Sequence, residues 1–265
     1  MLEKLLSRLH VAFNQKFVMP FYIILNDEGR INDIVGKSKT VPLKLKKHLF
    51  IANRIDEDFQ EKINREDHIL ILKTSRSVER AEIDYESNMF NLGSLILLAY
   101  EPMEDANANR VIYRLIERSP CFKASSLIYL FPYINYDKYI ERRIVSPSMI
   151  IRKIITYGGR AISASRLKLI YPSDGKPLIE DLERNLMKRL EKISDAIQKH
   201  KMQEKTVKMK TLLEMRSEIK MIRNLTKVYH EELNINLKTV ESKIINIAKT
   251  VNQMIEETRD GENSI

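Results

Sequence analysis

The stretch from Gly93 to Pro172 alternates between apolar runs of strand length and segments with a helical period. In the helical segments the apolar residues recur three and four positions apart, and proline closes each of the last two apolar runs. The predicted strands are Leu95–Tyr100, Ser126–Pro132 and Ala161–Tyr171, and the predicted helices are Ala106–Arg118 and Met149–Tyr157. Strands that alternate with helices indicate a layered α/β unit. We therefore expect this stretch to be the core on which the rest of the chain is built.

Several local features of this core resemble a known fold. The first strand runs into Tyr100-Glu101-Pro102, the next helix carries three arginines, and a Gly158-Gly159-Arg160 turn leads into the last strand. The series resembles the ferredoxin-like fold shared by the small CRISPR adaptation nuclease, the chromate-resistance regulator and the C-terminal part of the phenylacetate repressor. This resemblance implies a dimer-forming βαββαβ unit that is often associated with nucleic acid, with its third strand expected within residues 133–145. The nuclease carries a metal-binding aspartate where this chain has Glu101.

The N-terminal region is predicted to follow the order α-β-β-α-β-β. The Asp27–Arg30 turn contains a glycine that suits the positive φ of a hairpin. The predicted elements are a helix over Leu2–Phe13, a hairpin of Phe21–Asn26 with Ile31–Val35, a helical stretch over Pro42–Asn64 with a break near Asn53–Asp56, and a hairpin of Ile69–Lys73 with Val78–Tyr85. This order resembles part of a roadblock- or profilin-like domain, which implies a sheet that serves as a platform for dimers and small GTPases.

The last third of the chain is predicted to be helical. No glycine occurs between Gly175 and Gly261, no proline follows Pro177, and apolar residues recur at spacings of three and four. Either one helix over residues 207–257 pairs in a coiled coil, or a turn near Asn234-Ile235-Asn236 folds the region into a bundle. The predicted class is α+β, with an N-terminal α/β region (1–92), a ferredoxin-like core (93–173) and a helical C-terminal region (174–265) whose residues 177–258 self-associate.

The positive charge is concentrated in the predicted core. Residues 93–173 carry 12 Lys/Arg against 6 Asp/Glu, which is +6 of the net charge of +9. This asymmetry favours an anionic partner such as a nucleic-acid backbone, although basic residues also serve solubility. Three arginines spaced i, i+4, i+8 share one helix face, and Tyr133, Tyr136 and Tyr139 are interleaved with further cations. The candidate nucleic-acid-binding residues are Arg110, Arg114, Arg118, Arg142, Arg143, Arg152, Lys153, Lys199, Lys201, Lys205, Lys208 and Lys210.

Other kinds of site receive less support from the sequence. Its five histidines lack a second ligand at zinc spacing, and it has no phosphate-binding glycine loop of the common types, so no metal and no cofactor is predicted. Glu101, Glu104 and Asp105 either bind magnesium or serve the start of a helix. Cys121 is the only cysteine and lies in a turn, which favours an unreactive thiol. Because no internal disulfide and no apolar span occur, we expect a cytoplasmic protein.

Three functions follow from these observations. We expect a non-catalytic nucleic-acid-binding homodimer that uses the basic core, with the helical region setting the geometry of the dimer. The alternative is a protein–protein scaffold in which the coiled coil and the N-terminal sheet recruit a partner. The third function is a divalent-metal nuclease that uses Glu101 and Asp105.

Overall fold

The structure, a computed structural model, describes residues 22–25, 43–46, 48–52, 55–57, 59, 70–202 and 208–263. It combines a large antiparallel sheet with C-terminal helices, which confirms the predicted mixed α+β class. Within the described part of the chain, no helix is long and apolar enough to cross a membrane.

The chain forms two compact units that interleave along the sequence. The first, here called the sheet unit, comprises Met1–Pro102, Lys123–Tyr133 and Gly158–Gly175. The second, the helical unit, comprises Met103–Phe122, Ile134–Tyr157 and Lys176–Ile265. Neither unit coincides with one of the three consecutive segments into which the sequence analysis divides the chain.

Ten strands are described. Eight of them form one sheet in the order β2-β3-β1-β4-β10-β7-β9-β8, and β5 with β6 forms a separate hairpin. Their bounds are β1 Tyr22–Leu25, β2 Leu43–Lys46, β3 Leu49–Ala52, β4 Leu70–Thr74, β5 Glu82–Asp84, β6 Met89–Asn91, β7 Leu95–Tyr100, β8 Phe122–Ser125, β9 Ile128–Pro132 and β10 Ala161–Leu169. Ile24, Phe50 and Ile71 of β1, β3 and β4 cluster with Phe59 in an apolar core on the N-terminal strands.

Strand β10 joins the N-terminal strands to the central ones. Its first part pairs antiparallel with β7, from Ala161 opposite Tyr100, and its last part pairs with β4, with Leu169 opposite Leu72. The register shifts between Ala164 and Leu167, and Arg166 there has a φ of 54°. A bulge of this kind bends a strand and increases its twist. The two halves of the sheet are therefore continuous through one irregular strand.

The central segment follows the order β7-α1-β8-β9-α2-β10, with α1 at Ala106–Ile116 and α2 at Pro147–Thr156. Its four strands lie in the order β10-β7-β9-β8. Strand β8 was not predicted. The strand expected within residues 133–145 was wrong, because that stretch holds a short 3-10 helix at Tyr136–Tyr139 and turns. The predicted Ser126–Pro132 run contains β9, the third strand of the series, which begins at Ile128 after a turn in which Leu127 has a φ of 61°.

Two predictions in the N-terminal region were wrong. The expected helical stretch over Pro42–Asn64 is replaced over 43–52 by strands β2 and β3, which pair with each other, whereas Glu57 and Phe59 in its second part are helical. The expected hairpin of Ile69–Lys73 with Val78–Tyr85 does not form, since β4 pairs with β1 and β10 instead. The predictions for Leu2–Phe13 and Ile31–Val35 fall outside the described residues.

Three long helices follow the sheet strands: α3 (Gly175–Met202), α4 (Met209–Leu233) and α5 (Lys238–Asn263). Helix α4 ends at Leu233, and Asn234 caps it with a φ of 55°, the left-handed conformation common at helix C-termini. The short connection makes α4 and α5 antiparallel neighbours, and they pack against each other. The prediction of one helix over 207–257 was therefore wrong, and the turn near Asn234 is present. Most of the apolar stripe, from Leu212 to Ile255, is buried within the chain.

Candidate nucleic-acid interface

Helix α1 begins at a well-formed cap. The Asp105 carboxylate accepts a hydrogen bond from the Asn107 backbone N–H at 2.8 Å, which satisfies one of the amides that a helix leaves free at its start. The Asn109 side chain accepts from the Met103 N–H at 2.9 Å and donates to the Met103 carbonyl at 2.6 Å. These bonds fix the chain that enters α1, and with it the direction of the residues that follow.

The two faces of α1 differ sharply. Ala108, Ile112 and Ile116, at i, i+4 and i+8, are buried. Arg110 and Arg114 are exposed on the other side, with Tyr113 54% exposed between them. Because apolar residues at this spacing form one continuous stripe, burying that stripe directs both arginines to solvent. No ion pair involving either guanidinium occurs among the described residues.

Helix α2 repeats this arrangement. Ser146 caps it by accepting from the Met149 N–H, and Pro147 occupies its first turn, where a missing N–H costs nothing. Ile150 and Ile154 are buried. Arg152 is exposed at the centre of the outward face. Lys153 places its ammonium 4.9 Å from the centroid of the Tyr157 ring, a cation–π contact.

The charge on these two helices has a single sign. Helices α1 and α2 contact each other, contain four cations (Arg110, Arg114, Arg152 and Lys153) and include no aspartate or glutamate. Glu117, the residue after α1, hydrogen-bonds the Tyr113 side chain, but no carboxylate lies within either helix, and adjacent cations of this kind create a positive potential that attracts an anion. We call these four cations, with Tyr113 and Tyr157, the α1–α2 basic surface.

Arg118, the third arginine of the predicted row, is tied into the protein. Its guanidinium donates to the Arg143 carbonyl at 3.2 Å, and its Nε is buried. The neighbouring Ser119 hydroxyl donates to the Val145 carbonyl at 2.7 Å, and the Val145 N–H donates to the Arg118 carbonyl. Arg118 therefore fastens the end of α1 to residues 143–145 rather than standing free beside Arg114.

Arg142 is also held by the protein itself. Its Nη1 donates to both carboxylate oxygens of Glu231, at 3.0 and 2.9 Å, and its guanidinium lies 5.3 Å from the centroid of the Tyr139 ring. The hydrogen bond to Glu231 raises the pKa of Arg142. Arg143, next in the chain, is exposed and has a φ of 59°.

The tyrosines that the sequence analysis selected for stacking are differently placed. Tyr139 is buried, and its hydroxyl donates to Glu232, while burial raises the pKa of both Tyr136 and Tyr139. Tyr133 belongs to the sheet unit. The rings available beside the α1–α2 cations are instead Tyr113 and Tyr157, which the analysis missed. The signal was present for Tyr113, because it lies three residues after Arg110 on the same helix face.

The lysines around the break between α3 and α4 are only partly described. Lys199 is exposed near the end of α3, and Lys208 and Lys210 are exposed at the start of α4. Lys205 and the side chain of Lys201 fall outside the description.

The alternatives for the three carboxylates are partly decided. Asp105 caps α1, Glu101 and Glu104 are exposed, and among the described residues no group of three or more His, Cys, Asp or Glu side chains can hold a metal ion. Burial raises the pKa of the Cys121 thiol to about 12, so the thiol stays protonated at neutral pH. The Cys121 N–H donates to the Tyr229 hydroxyl at 2.7 Å, which in turn donates to the Cys121 carbonyl at 3.0 Å.

Comparison of the whole chain with protein-family models, curated proteins and solved structures finds no match.

Proposed function

We propose that this protein is a non-catalytic, cytoplasmic nucleic-acid-binding protein that contacts its ligand through the α1–α2 basic surface. The observation that carries the proposal is the pair of contacting helices with four cations and no carboxylate. Exposed arginines of this kind pair with phosphate oxygens, and release of condensed counterions from the nucleic acid drives the association. Such contacts position the protein without reading the base sequence.

The two exposed rings extend the range of ligands. Tyr113 is 54% exposed and Tyr157 is 38% exposed, each close in sequence to a cation of the surface. Aromatic rings beside a positive groove stack on unpaired bases, which adds affinity for single strands. We therefore expect binding to both duplex and single-stranded nucleic acid, with little preference for sequence.

The topology of the central segment supports a ferredoxin-like assignment. Its elements follow β-α-β-β-α-β, and its strands lie in the order fourth, first, third, second. Each described pairing of its neighbouring strands β10, β7 and β9 is antiparallel. We infer that residues 93–173 have this fold, in keeping with the resemblance noted in the sequence. The alternative function as a divalent-metal nuclease is less well supported, because Asp105, one of its two expected metal ligands, caps α1.

A scaffold function has one observation in its favour. Met149 and Ile155 of α2 are 55% and 62% exposed on either side of Arg152, and exposed apolar side chains of this size suit a protein partner. Self-association through 177–258 stays a prediction, and sedimentation of the whole chain measures it. The reason for expecting self-association is weaker than the sequence suggested, since most of the apolar stripe is already buried within one chain.

The test compares two triple variants of the full chain. The first, Arg110→Gln/Arg114→Gln/Arg152→Gln, removes three cations from the α1–α2 basic surface. The matched control, Lys188→Gln/Lys192→Gln/Lys238→Gln, removes the same charge from exposed positions of α3 and α5. Fluorescence anisotropy with a 30-bp duplex and a 30-nucleotide single strand gives affinity between 50 and 200 mM KCl.

We expect the first variant to lose about 2.7 units of the slope of log K against log salt on duplex DNA, at about 0.9 per phosphate contact, and about 2.1 on single strands. The control should keep the slope of the parent. Equal slopes for all three proteins, or no binding by the parent at 50 mM KCl, would refute the proposal.

A further inference from the structure

Helix α4 carries a row of four cations apart from the α1–α2 basic surface. Arg216, Lys220, Arg223 and Lys227 are all exposed, and no described carboxylate pairs with any of them. Their spacing is i, i+4, i+7, i+11. At 3.6 residues per turn these positions fall within an arc of about 60°, and at 1.5 Å per residue the row is about 16 Å long.

The opposite face of α4 explains why this row points outward. Leu212, Ile219, Ile222, Leu225, Tyr229 and Leu233 are buried. The four cations lie on the exposed face that remains. Helix α4 has four acidic residues, none of which belongs to the row. Glu214 precedes the row, Glu218 lies within its length but is paired with Arg189 of α3, and Glu231 and Glu232, beyond its end, bond residues 138–142.

The row lies in the same unit as α1 and is connected to it through named contacts. The Asn224 side chain donates to the Arg142 carbonyl at 3.0 Å, and the Arg118 guanidinium donates to the neighbouring Arg143 carbonyl. Asn224 is one residue from Arg223 of the row, and Arg118 is one turn beyond Arg114. The short segment 142–143 thus links α4 to the end of α1.

We propose that Arg216, Lys220, Arg223 and Lys227 form a second phosphate-binding site, the α4 row, which takes the sugar–phosphate backbone of a duplex. A duplex carries one negative charge per about 1.7 Å of its axis with both strands counted, or one per about 3.4 Å of each strand, so one strand over the length of the row has about five phosphates. The row contains no aromatic ring on which an unpaired base stacks. Its ligand is therefore the regular backbone of a duplex, read without regard to sequence.

This inference rests on the proposed function, and the experiment separates the two. The variant Arg216→Gln/Lys220→Gln/Arg223→Gln/Lys227→Gln is compared with the control Lys188→Gln/Lys192→Gln/Lys238→Gln/Lys249→Gln, which removes four exposed cations from α3 and α5. Glutamine is a good helix former, so α4 should persist, and circular dichroism checks this. The double variant Lys220→Gln/Lys227→Gln removes only two of the four cations, and so repeats the test with half the change in charge.

The expected result is a loss of up to 3.6 units of salt slope on a 30-bp duplex for the quadruple variant and half of that for the double variant. Between 50 and 200 mM KCl, the parent should then lose about 150-fold more affinity than the quadruple variant does. The control should behave as the parent.

The inference is overturned if the α4-row variants keep the parent's slope on the duplex. It is also overturned if they lose only binding to vesicles of 30% phosphatidylserine in phosphatidylcholine, since an anionic membrane is then the ligand. If the α1–α2 variant loses slope and the α4-row variants do not, the proposed function stands without this second site. If instead the α4-row variants lose slope and the α1–α2 variant does not, the α4 row is a phosphate-binding site and the α1–α2 basic surface is not.

Discussion

Arg142 separates two roles that a basic residue can have in this protein. The sequence pattern lists it with the phosphate contacts, whereas the structure pairs its guanidinium with both oxygens of Glu231 and places it over the Tyr139 ring. A cation that is already paired has less to gain from a phosphate. We therefore predict that Arg142→Gln lowers the stability of the helical unit and leaves the salt slope of nucleic-acid binding unchanged.

The magnitude follows from the exposure of the pair. The side chains of Arg142 and Glu231 are 35% and 41% exposed, so solvent screens their attraction and the ion pair contributes about 0.5–1 kcal/mol. The contact with the Tyr139 ring adds about 0.5–1 kcal/mol. Arg142→Gln should thus lower the free energy of unfolding by about 1–2 kcal/mol.

A double-mutant cycle with Glu231→Gln measures the pair itself. Urea unfolding of the parent, the two single variants and the double variant should give a coupling energy of about 0.5–1 kcal/mol for the ion pair. Anisotropy titrations of the same four proteins supply the salt slopes. A coupling energy near zero together with a slope that falls by about 0.9 would show that Arg142 contacts a phosphate, and the argument from pairing would be wrong.

Three further predictions test the structure elsewhere. Tyr229→Phe removes the hydroxyl that bonds both backbone groups of Cys121, and because this site is buried the free energy of unfolding should fall by about 1–3 kcal/mol in urea; a loss below 0.5 kcal/mol would contradict the bonds. Burial raises the pKa of Asp174 to about 6, above its unfolded value of 3.8. The folded protein therefore binds this proton more tightly than the unfolded chain does, and this contribution to stability is lost as the pH rises from about 4 through 6. Since this carboxyl is half exposed, Asp174→Asn should raise stability at pH 7.5 by only about 1 kcal/mol, and melting curves should show no advantage below pH 4. Gly93 has a φ of 68°, and an added Cβ would lie 2.7 Å from backbone atoms of Arg80 and Ala81, so Gly93→Ala should cost more than 3 kcal/mol by the overpacking and strain terms. Gly158→Ala is the control, with a φ of 73° and open space, at about 1 kcal/mol; similar losses for both would exclude the clash.

The strands and helices of the central segment could be predicted because their patterns are local. Leu95–Tyr100 is strand β7 with the predicted bounds, and α1 and α2 start or end within two residues of prediction. Strand β8 could not be found this way. Phe122–Ser125 is four residues long with one buried apolar side chain, which is too short to show a period.

The pairing of the N-terminal strands could not be predicted from the sequence for a different reason. Strand β4 pairs with β1, which ends 45 positions earlier in the chain, and with β10, which begins 87 positions later. Neighbouring strands in sequence pair often, and that preference suggested the hairpin that does not form. The helix expected from Pro42 failed because Leu43-Lys44-Leu45-Lys46 alternates with period two and the apolar Leu49–Ala52 run follows at once.

The candidate site shows the same division between local and distant information. Spacing alone placed Arg110 and Arg114 on the outward face of α1, because the buried stripe is part of the same helix. Spacing did not show that Arg118 would meet the Arg143 carbonyl or that Arg142 would meet Glu231, 89 residues away. The α4 row carried a readable local signal, four cations at i, i+4, i+7 and i+11, which the apolar pattern of the helix obscured.

The distribution of charge among the helices bears on the choice between ligand binding and solubility. Helices α3 and α5 intersperse lysines and arginines with carboxylates, as solvated helices do. Helix α3 also has like charges four residues apart, at Arg184, Lys188 and Lys192, but Asp181 pairs with Arg184 and further carboxylates lie along that helix. Helix α1 and the outward face of α4 have the like-charge pairs Arg110–Arg114, Arg216–Lys220 and Arg223–Lys227, and no described carboxylate pairs with them. Each such pair destabilises a helix by about 0.2–0.5 kcal/mol, so together they cost about 1 kcal/mol in the free protein. Solubility does not require that arrangement, since the net charge of +9 supplies it already. A polyanion laid along the two rows would remove this repulsion, which is the energetic contribution that the proposed nucleic-acid binding requires of the cations of α1 and α4.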